Sequence, residues 1–198
     1  SMDEIVENFK GKTIMVTGAA GSIGSELCRQ LVTFGIDKLV LFDNAETPMH
    51  NLRLELEEKY PQMRIIPVIG DVRLLPRLDY VFKMWRPQVV FHAAAYKHVP
   101  LMEENPCEAV LVNAAGSRNV AAKCLEYGAE MMVMVSTDKA VNPTNIMGCT
   151  KRLAEIYVQS LGLAIENGQI AGKTKFVTTR FGNVLGSNGS VIPRFREQ

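Results

Sequence analysis

The sequence has no marked excess of positive or negative charge and no apolar stretch of membrane-spanning length. Its 198 residues include 22 Lys and Arg and 21 Asp and Glu, a formal net charge of +1, so there is no basic field to attract nucleic acid. No apolar run approaches the roughly 20 residues of a membrane span, and the N-terminus lacks a signal-peptide pattern. We therefore expect a cytoplasmic protein without a nucleic-acid partner.

Cysteine and histidine are also few. The four cysteines contain no CxxC pair and have no histidine at metal-ligand spacing, and they are Cys28, Cys107, Cys124 and Cys149. A scattered set of this kind is typical of reduced thiols and argues against a disulfide framework or a zinc site. We expect no metal centre.

The length and composition predict a single domain over residues 1–198. A hydrophobic content of 47% is enough for one sizeable core. Ser1 before Met2 resembles a residual tag, and the sequence stops at Gln198 without a closing pattern. We therefore expect a fragment of a longer chain.

Short apolar runs alternate with helical periodicity along the whole length. The predicted strands are apolar nearly throughout, as expected for strands covered on both faces, and they span 13–17, 38–42, 64–69, 88–91, 131–135 and 175–179. The predicted helices span 22–34, 47–59, 74–85, 106–127 and 147–165. This alternation predicts an α/β fold with a doubly wound parallel sheet, which is Rossmann-like.

A glycine-rich turn follows the first predicted strand. Gly18, Gly21 and Gly24 allow a tight turn, close approach of the backbone to a pyrophosphate, and close packing of helix on strand. The helix that begins near Ser22 and Ile23 directs its first N–H groups and its dipole towards the phosphates. The turn predicts a dinucleotide site, with a plain structural turn as the alternative.

Acidic residues follow the next two predicted strands. Asp43 ends the second strand, about twenty residues after the turn, where a carboxylate accepts hydrogen bonds from the adenosine ribose and repels a 2′-phosphate. NAD is therefore expected as the cofactor, with NADP less favoured. The alternative for Asp43 is a helix N-cap. Asp71 and Val72 after the third strand are candidate adenine contacts, although an Asp there also makes an ordinary turn.

Three later segments carry a family resemblance: 91–100 (FHAAAYKHVP), 136–151 (STDKAVNPTNIMGCTK) and 180–193 (RFGNVLGSNGSVIP). With the turn, they resemble the polysaccharide-biosynthesis branch of the extended short-chain dehydrogenases/reductases, the UDP-N-acetylglucosamine 4,6-dehydratases and their relatives. The resemblance implies a UDP-sugar substrate, a homo-oligomer, and a smaller substrate-binding region largely missing here. Larger members also carry N-terminal membrane helices, which leaves open a full-length protein anchored at the cytoplasmic face of the membrane.

The catalytic tyrosine that is usual in this superfamily is absent. Its place in Tyr-x-x-x-Lys is taken by Met147, four residues before Lys151. A thioether cannot exchange a proton, so Met147 is not the usual acid or base, and core packing is its alternative role. The resemblance implies that Lys151 binds the nicotinamide ribose and that Met147 marks the larger dehydratases. Tyr96 is an alternative source of the missing hydroxyl.

The resemblance also implies an acid–base set after the fifth strand. A 4,6-dehydratase needs a base for the sugar C5 proton and an acid for the departing C6 hydroxyl. By resemblance, Lys139 is the base, Asp138 is the acid and Thr137 hydrogen-bonds the C4 oxygen. The alternative is a surface Asp-Lys pair in a loop.

Other candidates have weaker signals. Lys97 and Asn183 follow strands and are candidate substrate contacts, whereas Ala93, Ala94 and Asn113 are candidate cofactor contacts. His92 ends an apolar strand and is interpreted as a structural histidine whose ring nitrogens are hydrogen-bonded.

Three functions compete at this stage. A 4,6-dehydratase acting on a UDP-N-acetylhexosamine leads; a nucleotide-sugar 4-epimerase and a catalytically silent NAD-binding module are the alternatives. We further expect the helices over 106–127 and 147–165 to pair with a second subunit, because their apolar positions exceed one packing stripe; the positions concerned are Leu153, Ile156, Val158 and Leu161.

Overall fold

The sheet in the computed structural model has six parallel strands in the order β3-β2-β1-β4-β5-β6. The structure describes residues 7–93, 106–136 and 146–180. The strands are β1 (Thr13–Thr17), β2 (Lys38–Asp43), β3 (Arg64–Ile69), β4 (Val89–His92), β5 (Met131–Ser136) and β6 (Lys175–Arg180). This order is that of a doubly wound Rossmann-like sheet, so the predicted fold class is confirmed.

In the described residues, one helix follows each of the strands β1 to β5: α1 (Ser22–Leu31), α2 (Glu46–Lys59), α3 (Leu75–Trp85), α4 (Pro106–Glu126) and α5 (Ile146–Glu166). The buried residues of α1 and α2 join one core cluster, and those of α3, α4 and α5 join the other. Strand residues alternate between the clusters: Ile14 and Val16 belong to the first, and Met15 to the second. The central strands are therefore apolar throughout because both of their faces are covered.

Helix α1 is shorter than predicted, because it ends at Leu31 and not at residue 34. The Thr33 hydroxyl donates to the Gln30 carbonyl at 2.6 Å, and Gly35 follows at φ 69°. The Gly35 carbonyl accepts a hydrogen bond from the Gly11 N–H at 2.9 Å. The Thr33 and Phe34 N–H groups donate to carbonyls only three residues earlier, at 3.1 Å each, so the chain continues after Leu31 in a tighter turn. The other predicted boundaries differ by at most one residue.

The order in which successive strands are added to the sheet reverses between β1 and β4. After β3 the chain crosses back over the sheet, and β4 pairs with the free side of β1, with Thr17 opposite His92. The carboxyl ends of β1 and β4 therefore border the crevice in which ligands of such sheets bind.

Two of the cysteines are buried in different core clusters. Cys28 lies on α1 in the first cluster and Cys124 on α4 in the second. Burial raises the pKa of both thiols well above the ordinary value, so both are protonated and unreactive at neutral pH. Among the residues that the structure describes, no helix is both long and apolar enough to cross a membrane.

Candidate dinucleotide-binding site

The glycine turn connects the end of β1 to the start of α1. Gly18 has φ 67°, and its carbonyl accepts the Gly21 N–H at 3.1 Å. Gly21 is the N-cap, its carbonyl accepts the Ser25 N–H at 2.8 Å, and no side chain caps the helix. The N–H groups of Ser22 and Ile23 have no intrahelical acceptor because they belong to the first turn. An anion at this helix end would satisfy these donors.

Gly24 holds α1 against the turn. A Cβ at this position would lie 1.9 Å from the Gly18 carbonyl oxygen and 2.9 Å from the Ala19 Cα. Both are backbone atoms, so no side-chain rotation relieves the clash. Only glycine permits this approach, which agrees with the predicted packing role of the third glycine.

The Asp43 carboxylate connects the turn to the next helix. Its Oδ2 accepts the Ala20 N–H at 2.9 Å, and its Oδ1 accepts the Ala45 N–H at 2.9 Å. Ala45 is the N-cap of α2, so Asp43 supports that helix end without being its cap. Each carboxylate oxygen keeps a further lone pair, so a ribose hydroxyl can still donate to this half-buried group.

Asp71 and Val72 lie beside Asp43, after β3. The Gly70 N–H donates to the Asp43 carbonyl at 3.0 Å, which ties the end of β3 to the end of β2. The Val72 carbonyl accepts from Asn119 Nδ2 of α4 at 3.0 Å. The Arg73 guanidinium hydrogen-bonds the Asp71 carboxylate and holds its pKa below the ordinary value.

His92 has the structural role that its sequence position predicts. The ring is buried, with Nδ1 2.7 Å from the Thr17 hydroxyl and Nε2 3.1 Å from the Ser117 hydroxyl of α4. The Ala93 N–H donates to the Thr17 carbonyl at 3.1 Å, which continues the pairing of β4 with β1 beyond the strand end. These bonds fix the two central strand ends relative to each other.

Several predicted site residues lie outside the described residues: Ala94, Lys97, Thr137, Asp138, Lys139 and Asn183. Asn113 lies on α4, and Met147 and Lys151 lie one helical turn apart on α5. The structure brings Gly18, Gly21, Gly24 and Asp43 together at one end of the sheet, as predicted.

Arg73, Ser117 and Asn119 contact this region and were not among the predicted residues. Arg73 is two positions from Asp71, in the turn after β3, and this spacing alone does not predict an ion pair. Ser117 and Asn119 bond groups 25 and 47 residues away, and no local pattern in the sequence indicates those partners.

A family comparison identifies the chain. The model of the family described as "Polysaccharide biosynthesis protein" matches residues 14–198. The chain belongs to this family. The predicted branch is thereby confirmed, and the site above is the glycine turn and strand-end region of a polysaccharide biosynthesis family member.

Individual relatives in this family carry different names. Capsular polysaccharide biosynthesis protein CapD of Staphylococcus aureus is 48% identical over 195 residues, 98% of this chain and 32% of the relative. The UDP-N-acetylglucosamine 4,6-dehydratase (inverting) of Campylobacter jejuni serotype O:23/36 is 37% identical over 192 residues, 96% of this chain and 54% of the relative. The UDP-glucose 4-epimerase of Rickettsia rickettsii is 36% identical, with 96% and 54% covered. The chain thus spans about a third to about half of these relatives.

Solved structures show the same fold. Pen from Bacillus thuringiensis superposes with a TM-score of 0.76 at 34% identity, covering 93% of this chain and 56% of that one. The UDP-glucose 4-epimerase of Thermus thermophilus, in complex with NAD, superposes with a TM-score of 0.70 at 25% identity, with 90% and 57% covered. One of the solved proteins that have this fold, the T. thermophilus epimerase, therefore binds NAD.

Proposed function

We propose that this chain is the cofactor-binding part of an NAD-dependent 4,6-dehydratase that acts on a UDP-N-acetylhexosamine. One observation carries the proposal: β5 ends at Ser136, two strands from β1 and its glycine turn, and Thr137, Asp138 and Lys139 follow directly in the sequence. A catalytic set at that point of the sheet would adjoin the crevice between β1 and β4. The similarity to the C. jejuni 4,6-dehydratase supports the same activity.

The residues at the sheet end fit a dinucleotide. The uncapped start of α1 offers N–H donors for a pyrophosphate, and Gly21, which is exposed, presents no side chain to obstruct it. Asp43 would accept the adenosine ribose hydroxyls, and Asp71 with Val72 would contact adenine. Ala93, Ala94, Asn113 and Lys151 are the proposed contacts nearer the nicotinamide. When bound, this group supplies the hydride acceptor for sugar C4 and the hydride donor for C6.

The acid–base roles belong to the residues after β5. In this scheme Lys139 takes the C5 proton, whose acidity is raised by the 4-keto group, and Asp138 gives a proton to the C6 hydroxyl as it leaves as water. Thr137 donates a hydrogen bond to the C4 oxygen, and Met147 contributes packing only. Lys97 and Asn183 are the proposed substrate contacts.

A 4-epimerase is the second candidate, because the Rickettsia relatives of that name are 36–37% identical to this chain. The two activities differ in mass balance, since a dehydratase releases one water and an epimerase releases none. Incubation of the whole protein with UDP-N-acetylglucosamine, followed by mass spectrometry, is expected to show loss of water. An isomer of unchanged mass would contradict the proposal.

We predict tighter binding of NAD than of NADP, because the Asp43 carboxylate repels a 2′-phosphate. Asp43→Asn keeps one acceptor oxygen and removes the charge. The ratio of the Kd for NADP to the Kd for NAD should therefore fall by about tenfold, the effect of one modest interaction with a charged group. Calorimetry with both dinucleotides measures it. Tighter binding of NADP by the unchanged protein would refute this role of Asp43.

We also propose a homodimer through α4 and α5. Leu153 and Ile156 of α5 are 51% and 44% exposed, which leaves an apolar stripe on the outer face of that helix. Val158 is fully buried and Leu161 packs against the same core cluster, so these two form the packing stripe and Leu153 and Ile156 are the apolar positions in excess of it.

The dimer is tested with a charge on this stripe. Leu153→Glu should convert a dimer to a monomer in sedimentation at tens of micromolar (roughly a weak-dimer threshold). Leu54→Glu, at a leucine of α2 that is 49% exposed, is the matched control and should leave the dimer intact. A monomeric unchanged protein at this concentration would rule out the interface.

A further inference from the structure

Glu155 of α5 is a fully buried carboxylate. The residue is 0% exposed, and its neighbours Ala154 and Val158 are buried in the second core cluster. Its Oε2 accepts a hydrogen bond from Arg152 Nη1 at 2.9 Å, although the side chain of that arginine is 41% exposed. Glutamate is almost never fully buried unless it is paired, and a carboxylate has about four lone-pair sites for donors. A second cation is therefore expected near this carboxylate.

The packing of α5 on β6 shows which strand residues are level with Glu155. A Cβ at Gly162 would lie 3.4 Å from the Phe176 Cβ, so the helix lies directly on the strand at this point. The helix runs antiparallel to β6, because it connects two parallel strands. Glu155 is about 10 Å before Gly162 along the helix, whereas Thr178 and Arg180 are about 7 and 13 Å beyond Phe176 along the strand. Glu155 is therefore level with the carboxyl end of β6.

The register of both elements places Arg180 on the face that α5 covers. Glu155 and Gly162 are two helical turns apart and so lie on one side of α5. Phe176 packs against the second core cluster, and alternate strand residues share a face, so Thr178 and Arg180 occupy positions on that same face. The Thr178 hydroxyl is buried and makes no hydrogen bond in the part of the chain that the structure describes. Arg180 is thus a cationic position on that face, level with Glu155.

We propose that Glu155 is a positioning residue whose carboxylate pairs with the Arg180 guanidinium and so fixes the chain that leads from β6 to Asn183. The inference rests on the proposed function, in which Asn183 contacts the substrate. Arg180 is the last residue of β6 and precedes Asn183 by three positions. An arginine fork bonds a carboxylate through two parallel N–H groups, so the pair sets a direction as well as a distance. The chain that carries the substrate contact is thereby held to α5, the helix that carries Lys151.

Lys151 is another cation close to Glu155 along the chain, four residues earlier on α5. A helical pair in which the lysine precedes the glutamate by four residues is weaker than the reverse order. In the proposed site Lys151 also binds the nicotinamide ribose. The two pairings have different consequences: loss of a pair with Lys151 would weaken binding of NAD, whereas loss of a pair with Arg180 would weaken binding of the sugar nucleotide.

The first experiment measures both affinities in the whole protein, by calorimetry with UDP and with NAD and by kinetics with UDP-N-acetylglucosamine. Glu155→Gln should raise the Kd for UDP and the KM for the sugar nucleotide about tenfold, the effect of one hydrogen bond to a charged group. The Kd for NAD should change little, and kcat should fall less than KM rises. Arg152→Ala is the matched control: it removes an exposed partner of the same carboxylate, so both affinities should be nearly unchanged.

The second experiment tests the pair itself through melting temperatures. Removal of one member of a buried pair leaves an uncompensated charge, so Glu155→Gln and Arg180→Gln should each lower the melting temperature. The double variant Glu155→Gln/Arg180→Gln removes both charges, and it should melt at a higher temperature than either single variant. If the single variants do not fold, recovery of a folded protein in the double variant gives the same answer.

Three results would overturn the inference. Additive losses of melting temperature in the double variant would show that Glu155 and Arg180 do not pair. A raised Kd for NAD with an unchanged Kd for UDP in Glu155→Gln would assign the carboxylate to Lys151. Coupled melting temperatures with unchanged affinity for UDP and unchanged KM would make the pair a support of the fold alone. An unchanged protein that binds UDP but releases no water from UDP-N-acetylglucosamine would refute the proposed dehydratase and leave this inference in place.

Discussion

Alanine in place of Lys139 is expected to abolish exchange of the sugar C5 proton with D2O, while the affinity for NAD stays nearly unchanged. In the proposed scheme Lys139 is the only base for that proton, and the cofactor is held by residues of other strand ends. Hydrogen exchange at C5, followed by mass spectrometry or NMR in the whole protein, measures the effect. Near-normal turnover of Lys139→Ala would make Lys139 a surface residue and reopen the epimerase and silent-module hypotheses.

The proposed acid, Asp138, is tested by a different measurement from that for Lys139. Asp138→Asn should slow loss of water by about 10²–10⁴-fold, the usual contribution of one general acid, yet still permit oxidation at C4. Met147→Leu keeps an apolar side chain of similar volume and is the control, with a much milder effect because the thioether has no proton to give. Equal losses of activity in Lys139→Ala, Asp138→Asn and Met147→Leu would indicate damage to the fold and would contradict separate roles for the base and the acid.

Gly24→Ala is expected to lower the free energy of unfolding by about 3 kcal/mol, the upper part of the range for overpacking. The added Cβ would lie 1.9 Å from the Gly18 carbonyl oxygen, so α1 must move away from the turn. That movement displaces the first N–H groups of the helix, and the affinity for NAD should fall as well. Urea unfolding and calorimetry measure the two effects.

Gly21→Ala tests the approach of the pyrophosphate to the turn without disturbing the packing of α1. A Cβ there would lie 3.4 Å from the Gly18 carbonyl oxygen, an ordinary contact, and the φ of −74° suits alanine. Stability should therefore change little, whereas NAD binding should weaken because the exposed Cβ obstructs the pyrophosphate. Unimpaired NAD binding by Gly21→Ala would count against a phosphate at this turn.

The elements were predictable because their signals are local. Apolar runs mark strands buried on both faces, and glycine spacing marks a turn in which only glycine tolerates the backbone approach. The end of α1 was predicted wrongly, since the residue pattern does not distinguish an α-helical turn from the tighter turn that Thr33 and Phe34 form. Periodicity gives the spacing of a helix face and not its direction, so only the structure separates the buried Val158 and Leu161 of α5 from the exposed Leu153 and Ile156.

The fold class, the family, the glycine turn and the identity of the strand-end residues were all predictable, because each depends on residue type and spacing along the chain. How those strand ends are joined became known from the three-dimensional contacts. Asp43 bonds the turn at Ala20, His92 connects Thr17 to Ser117, and Asn119 of α4 donates to the Val72 carbonyl after β3. Such contacts depend on the order of parallel strands in space, which places residues dozens of positions apart within hydrogen-bond distance.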